Sequence, residues 1–255
     1  MSKNVSNGKS KKEELDETTE DLDVFLDSSH PLLKKYRDTC PGSFKHSQSL
    51  AAIVEGVSLS LGLDITQMKI AAMYHDIGKS FNPNYFTENQ LEENPHDKLD
   101  PWISSQIIAK HVADTVLILI NEEKFPRDIL ELVSKHHGTT IMKAFFQKAK
   151  SDIDDLFRYK SAHPTDIESL VLMVCDVVEA KSRALVQAGK FEDPNVVINS
   201  TIDDLLQDGQ LDDVHMRLGD LKKIKETLAK ELEGIYQKRV SYEKDLIPHP
   251  KKDVK

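Results

Sequence analysis

The sequence predicts an all-α protein, and three observations predict it. From Pro31 onward the apolar residues recur with the 3.6-residue helical period, alternating β-branched runs are few, and aromatic residues make up only 6% of the chain. Pro and Gly punctuate the periodic stretches, as they do between helices joined by turns. Residues 1–27, opening "MSKNVSNGKSKKEELDETTEDLD", are polar and without hydrophobic period, and are expected to form a disordered tail. The folded domain is expected over 28–245 and a frayed tail over 246–255.

His46, Leu50, Ile53, Val54, Val57 and Leu61 share one face of a helix that Gly62 stops, so His46 is turned toward the core. Asp64 restarts the chain, and a helix through Ile70 to Ile77 is expected to end at Gly78 with His75-Asp76 in its last turn. A proline-bearing loop covers Ser80 to Asp100. The next helix runs from Trp102 to about Asn121, with Ile107, Ile108, His111 and Thr115 on one stripe. After "KFPRD", Ile129, Leu132, Val133 and His136 repeat the pattern, and Gly138 is expected to close it. A long helix from about Pro164 carries Asp176 as the single acid in an apolar run from Leu170 to Val178. "DPNVVINSTIDDLLQDGQLDD" gives a short helix and a loop, and a charged amphipathic helix follows from about Arg217 to Tyr242.

At 255 residues the chain can hold one sizeable domain or two small ones. Hydrophobic content of 39% and charged content of 30% fit a globular protein, with no unbroken apolar run of the roughly 18 residues that span a membrane. The N-terminus has no apolar signal-peptide stretch. A cytoplasmic protein without membrane insertion is expected. Cys40 and Cys175 are too few for a disulfide framework or a thiolate-rich metal site. A net charge of −9 excludes a broad surface for polymeric nucleic acid, while leaving room for a small anion at a local site.

His46, His75, Asp76, His111, His136, His137 and Asp176 lie on or beside the apolar stripes. One such histidine would be an ordinary hydrogen-bonded core residue. Seven together would cost a few kcal/mol each if left unpaired, whereas metal coordination uses them all. Imidazole and carboxylate without thiolate suit iron, manganese, cobalt, nickel or zinc better than a soft metal or magnesium alone, and two ions of iron or manganese are expected. Seven ligands exceed one tetrahedral centre but serve two ions about 3.5 to 4 Å apart if one carboxylate bridges, and Asp76 beside His75 is the natural bridge.

These residues resemble the HD-domain metal-dependent phosphohydrolases, defined by a His, a His-Asp pair and a distant Asp in a helical bundle. The likeness is greatest to the cytoplasmic domain of the seven-transmembrane HD phosphodiesterases that hydrolyse cyclic di-AMP. It is carried in order by "PGSFKHS", "YHDIGK", "YFTENQ", "NPHDKL", "HHGTT", "DVVEAKSRA" and "IKETLAKELEGIYQKRVSY". The resemblance implies an HD helical bundle with a dinuclear core site. His46, His75, Asp76 and Asp176 would surround one ion, and Asp76, His111, His136 and His137 the second. It also implies hydrolysis of a cyclic dinucleotide, most simply cyclic di-AMP to linear pApA, by a metal-bridging hydroxide attacking phosphorus. The membrane spans and outer region of that branch have no counterpart in these residues, so a domain detached from an external sensor is expected. The Gly-Tyr-Pro signature of HD enzymes for cyclic di-GMP does not follow "HHG".

Toward substrate, Lys79 beyond the His-Asp pair is expected to reach a phosphate oxygen, or else to be a solvated lysine favoured near a helix end. Thr139 and Thr140 are expected either to bond phosphate or to cap the next helix. Asn89 and Gln90 would bind a base or anchor their loop, and Lys98 would add charge at the rim. The second pair, His96-Asp97, follows Pro95 in a loop and is expected to shape the substrate side without binding metal. The ligands read phosphate and not base, so another cyclic or linear nucleotide, or a sensor without turnover, remains as an alternative. A further alternative has structural metals and a partner-binding C-terminal helix. Oligomeric state is left open.

Overall fold

The computed structural model describes residues 22–90 and 93–245, and among them it is all-α; residues 1–21 and the proposed tail 246–255 lie outside the described range. The helices are α1 (Pro31–Thr39), α2 (Pro41–Leu61), α3 (Ile65–Tyr74), α4 (Pro101–Ile120), α5 (Arg127–Lys135), α6 (Lys143–Ala149), α7 (Ile167–Gln187), α8 (Pro194–Gln207) and α9 (Leu218–Asp245). Short 3-10 turns fill the segment between α3 and α4. The one departure from helical pairing among the described residues is an isolated bridge between Ile141 and Arg158.

Helix α2 is the axis of the bundle, packed by α3 on one flank and α9 on another, with α7 closing the core. Its Leu50, Ile53, Val54 and Val57 share the core with the interior faces of α3 and α7, and Ile224, Leu228 and Leu232 of α9 complete the cluster. Full burial of each such side chain stabilises the fold by about 1.5–3 kcal/mol. The helix starts are set by side chains: Asp64, Asp100, Asp166 and Asp193 each accept a backbone N–H in the first turn of the helix they precede.

Three expectations need correction. The ordered body begins ahead of residue 28: Asp23–Leu26 is a 3-10 turn whose buried Phe25 packs on Tyr74 and Phe125, and Tyr74 Oη donates to the Phe25 carbonyl at 2.9 Å. A polar neighbourhood hid one aromatic anchor. The helix expected to run to Gly78 stops at Tyr74, with Asp76 at φ −109° before the 3-10 turn Ile77–Phe81. Gly78 serves close approach instead of helix termination, since a Cβ there would lie 2.2 Å from the His111 carbonyl oxygen of α4. Finally, α6 adds a helix that the sequence pattern did not show, whereas the short helix and loop expected after Asp193 are present as α8 and the turns that follow it.

Helix α4 is long and apolar enough to cross a membrane by length and composition, with a best-window mean hydropathy of 1.4. Its inward face is nevertheless mostly polar, with Val112 and Leu119 the apolar exceptions. Ser104, Ser105, His111, Asp114 and Thr115 are buried, and Trp102, Ile103, Leu117 and Ile120 are exposed. The interior it faces is thus one that takes polar groups.

Candidate metal centre

The chain turn after α3 is clamped onto α4 by Thr115, whose Oγ1 accepts the Gly78 N–H at 2.9 Å and donates to the His75 carbonyl at 3.0 Å. That clamp fixes the backbone of His75 and Asp76. His75, His111 and His136 are then oriented by one repeated device. Each Nδ1 donates to the carbonyl three residues earlier: Ala72 at 2.9 Å, Ile108 at 2.6 Å and Val133 at 2.5 Å. A carbonyl only accepts, so Nδ1 carries the proton and Nε2 is left facing the centre.

The centre is consequently crowded with acceptors. His111 Nε2 lies 3.3 Å from His136 Nε2 and 3.1 Å from Asp76 Oδ1, while His75 Nε2 lies 3.1 Å from Asp76 Oδ2. His75 Nε2 and Asp76 Oδ1 are buried without a hydrogen-bond partner. Lone pairs converging at such distances repel unless a cation lies among them, so the seven residues fit divalent metal ions. The donor atoms fall into two groups, Asp76 with His111, His136 and His137, and His46 with His75 and Asp176; within each group all lie within 4.8 Å of one another. Asp76 faces both. Its Oδ1 is turned to His111 and, at 3.9 Å, His136, and its Oδ2 to His75 and, at 4.0 Å, His46.

Electrostatics agree with this division. Burial, reinforced by the neighbouring His75 and His111, pushes the His136 pKa down to about 3, and burial with His136 and His111 holds that of His137 well below the usual value. Both rings are therefore neutral near pH 7, the form that ligates. At His46 burial alone would lower the pKa, but the bonds to Asp176 and Glu179 push it up to about 10, which marks a position favouring positive charge. Burial would raise the carboxyl of Asp76, yet the surrounding His75, Lys79 and His111 hold it well below the usual range.

Several residues here had no individual mark in the sequence. Glu179 is 1% exposed and accepts from His46 Nδ1; Tyr236 Oη of α9 donates to its other oxygen at 3.3 Å. Its signal was available, an acid three residues after Asp176 and so on the same face of α7. Tyr159 stacks on His137 with ring centroids 4.3 Å apart, and nothing in its loop sequence announced that. The turn after α5 is held from outside by Gln210, whose Oε1 accepts the Thr139 N–H at 2.9 Å. A Cβ on Gly138, at φ +51°, would meet that Oε1 at 2.4 Å.

The substrate-side expectations divide. Lys79 Nζ reaches Asp76 Oδ2 at 2.6 Å and Glu88 Oε1 at 2.8 Å, and lies 4.9 Å from the Phe86 ring centroid. It lines a 260 Å³ cleft over the centre, together with Phe86, Tyr159 and Arg183. Asn89, by contrast, is a helix anchor: its Oδ1 accepts the N–H groups of Gly42 and Ser43, and its Nδ2 donates to Ser43 Oγ. Gln90 donates to Asn94 Oδ1, and Lys98 is an exposed lysine paired with Glu93. Thr139 Oγ1 is engaged by His163 and Gln210, and Thr140 Oγ1 donates to the His137 carbonyl. Asn89, Gln90, Lys98, Thr139 and Thr140 are absent from the lining of the cleft over the centre, and Thr140 borders the neighbouring cavity. The loop contains side chains that look suited to substrate but whose polar atoms are taken by the first turn of α2, in the case of Asn89, or by other side chains of the loop, in those of Gln90 and Lys98.

A helical bundle with a buried His/Asp centre of this kind defines an HD domain: the HD domain family model matches residues 43–181, and the chain belongs to that family. Over 219 residues it is 36% identical to "Cyclic-di-AMP phosphodiesterase PgpH" of Bacillus subtilis (strain 168), covering 84% of this chain and 30% of that protein. A protein of the same name from Listeria monocytogenes serotype 1/2a (strain 10403S) is 35% identical over 233 residues, covering 89% of this chain. The chain spans only 30% and 32% of the length of these two relatives. The crystal structure of the L. monocytogenes phosphodiesterase PgpH HD domain in complex with cyclic-di-AMP superposes with a TM-score of 0.75 at 36% identity, covering 81% of this chain and 98% of that one.

Proposed function

We propose that the chain is a dinuclear-metal phosphodiesterase that opens a cyclic dinucleotide, cyclic di-AMP to linear pApA, with iron or manganese as the ions and a cytoplasmic setting. The observation that carries this reading is the orientation of Asp76, whose two oxygens face two separate groups of donors. His46, His75 and Asp176 would hold one ion, His111, His136 and His137 the other, and Asp76 both. When bound, the ions would supply Lewis acidity at phosphorus and lower the pKa of a nucleophilic water.

The chain's own groups do the remainder. Burial would lower the Lys79 pKa, but Asp76 and Glu88 hold it well above the usual lysine value, so an ammonium stays at the cleft wall. There it orients the Asp76 carboxylate and would offer positive charge to a phosphoryl oxygen. Arg183, 3.4 Å from Glu179 through Nε, borders the same cleft and adds a second cation. Phe86 and Tyr159 give the cleft aromatic walls against which a base or ribose can pack and which limit water. Glu179 fixes the ring of His46 through Nδ1 and thereby aims Nε2 inward.

The test is chromatography of products after incubating manganese-loaded, or anaerobically iron-loaded, protein with cyclic di-AMP. Linear pApA is expected. A folded, metal-loaded protein that leaves cyclic di-AMP intact would sink the reading, and a competition panel of other cyclic and linear nucleotides measures base preference.

A further inference from the structure

Lys79 serves two acids, and only one of them belongs to the metal centre. Its Nζ lies 2.6 Å from Asp76 Oδ2 and 2.8 Å from Glu88 Oε1, with the lysine side chain 12% exposed. Asp76 Oδ2 is the oxygen that also faces His75 Nε2 at 3.1 Å and His46 Nε2 at 4.0 Å. An ammonium on that oxygen takes up a lone pair of a donor atom, and its charge repels any cation brought there. A lysine resting on Asp76 alone would therefore compete with a divalent ion for the same atom.

The second acid is held in place by α2. Asn89 Oδ1 accepts the N–H groups of Gly42 and Ser43 at 2.9 Å and 3.1 Å, and its Nδ2 donates to Ser43 Oγ at 2.8 Å. The 3-10 turn Thr87–Asn89 thus lies flush on the first turn of α2, so close that a Cβ on Gly42 would come within 1.9 Å of the Glu88 carbonyl oxygen. From that helix turn the buried Ser43 Oγ donates to Glu88 Oε1 at 2.8 Å, the same oxygen that Lys79 meets. Three residues further along α2 is His46, a centre donor. One helix start therefore fixes both a donor and the carboxylate that draws Lys79 away from Asp76. The Phe86 ring, its centroid 4.9 Å from Lys79 Nζ, favours a cation there without neutralising it, so Glu88 supplies the counter-charge.

We infer that Glu88 is a positioning residue for metal binding: by sharing the Lys79 ammonium it keeps the Asp76 carboxylate open to a divalent ion. Glu88 acts through Lys79. The inference rests on the proposed reading of Asp76 as a ligand to both ions, and adds how a lysine at the cleft wall can stand beside them without displacing them.

The experiment is a double-mutant cycle on manganese affinity, measured on the full chain by competition with a chelator and requiring no turnover. Glu88→Gln keeps the size of the side chain and an oxygen for Ser43, and Lys79→Met keeps the length of the stem without its charge. In the wild-type background Glu88→Gln should weaken manganese binding about tenfold, because Lys79 then falls on Asp76. In the Lys79→Met background the same substitution should change it by no more than about twofold. Lys79→Met alone should bind manganese at least as tightly as wild type. Equal losses in both backgrounds would make Glu88 a nearby charge that does not act through Lys79, and overturn the inference; so would no loss in either. A wild type that binds manganese but leaves cyclic di-AMP intact fails the phosphodiesterase reading alone, and the cycle still decides the role of Glu88. A wild type that binds no manganese removes the centre, and the inference with it.

Discussion

The chain contains the dipeptide His-Asp twice, and the two copies have opposite lives. His75-Asp76 directly follows a core helix, with both side chains buried among five other donors. His96-Asp97 lies in the 3-10 turn Pro95–Lys98, where His96 Nε2 donates to the Tyr85 carbonyl at 2.9 Å and the ring packs between Tyr85 and Phe145. The Asp97 side chain is 73% exposed and, among the described residues, pairs with Lys148 at 3.9 Å. The ligand chemistry of the letters is identical. What differs is the support: the first histidine has its Nδ1 satisfied and its Nε2 aimed at other acceptors, whereas the second already uses its Nε2 as a donor to backbone. A ligand is made by the hydrogen bonds behind it as much as by its own atoms.

The largest effect that could break this contrast comes from the aspartates. Asp76→Ala should abolish binding of at least one metal ion per chain and lower phosphodiester hydrolysis by about a thousandfold or more. Asp97→Ala should leave both within about twofold; metal analysis and product chromatography on the two variants decide it. Next is Gly78→Ala, which forces its Cβ against the His111 carbonyl and the Thr115 N–H, at 2.2 Å and 2.4 Å in the present packing. It should lower stability by about 1–3 kcal/mol and metal content with it, read by denaturant unfolding and metal analysis. Glu179→Gln should keep the fold but weaken metal affinity about 10- to 100-fold, measured by competition with a chelator. His96→Ala should do the reverse, costing about 2–3 kcal/mol in unfolding experiments while metal content is unchanged.

The smallest effect is a pH dependence. Burial would raise the Glu88 carboxyl, but Lys79 outweighs it and pulls the pKa down to about 2. A carboxyl depressed in the folded state stabilises fully above its unfolded value of about 4.5, and that contribution is lost as pH falls toward about 2. Glu88→Gln should therefore flatten the part of the acid limb that lies between those values, seen in unfolding curves at stepped pH. An unaltered limb would show that Lys79 is held by Asp76 alone.

Much of the fold was legible in the sequence because its cues are local. Helical period, Gly62 and the cap at Asp64 lie within a turn or two of what they decide. The seven centre donors were legible for a related reason, since polar side chains on apolar stripes can be seen one helix at a time. What stayed hidden was the second layer. Tyr159, Gln210 and Tyr236 act across the fold, and nothing beside them in the chain says which ligand they support. Asn89 took the second of its two readings, loop anchor and not base contact: its amide suits a base, but the first turn of α2, 46 and 47 residues earlier, takes both of its polar atoms. Gly78 was seen as a helix stop because the approach of α4 that requires it comes from 33 residues and more downstream.

The hydroxyl of Tyr236 on Glu179 also sets an order in time. All seven centre donors lie between residues 46 and 176, yet the brace behind His46 is closed by α9, the last of the described helices. During synthesis the donors leave the ribosome well before α9 does. A nascent chain can therefore gather the first helices and still present His46 on an unbraced carboxylate, so firm metal loading is expected to wait for the final helix to dock.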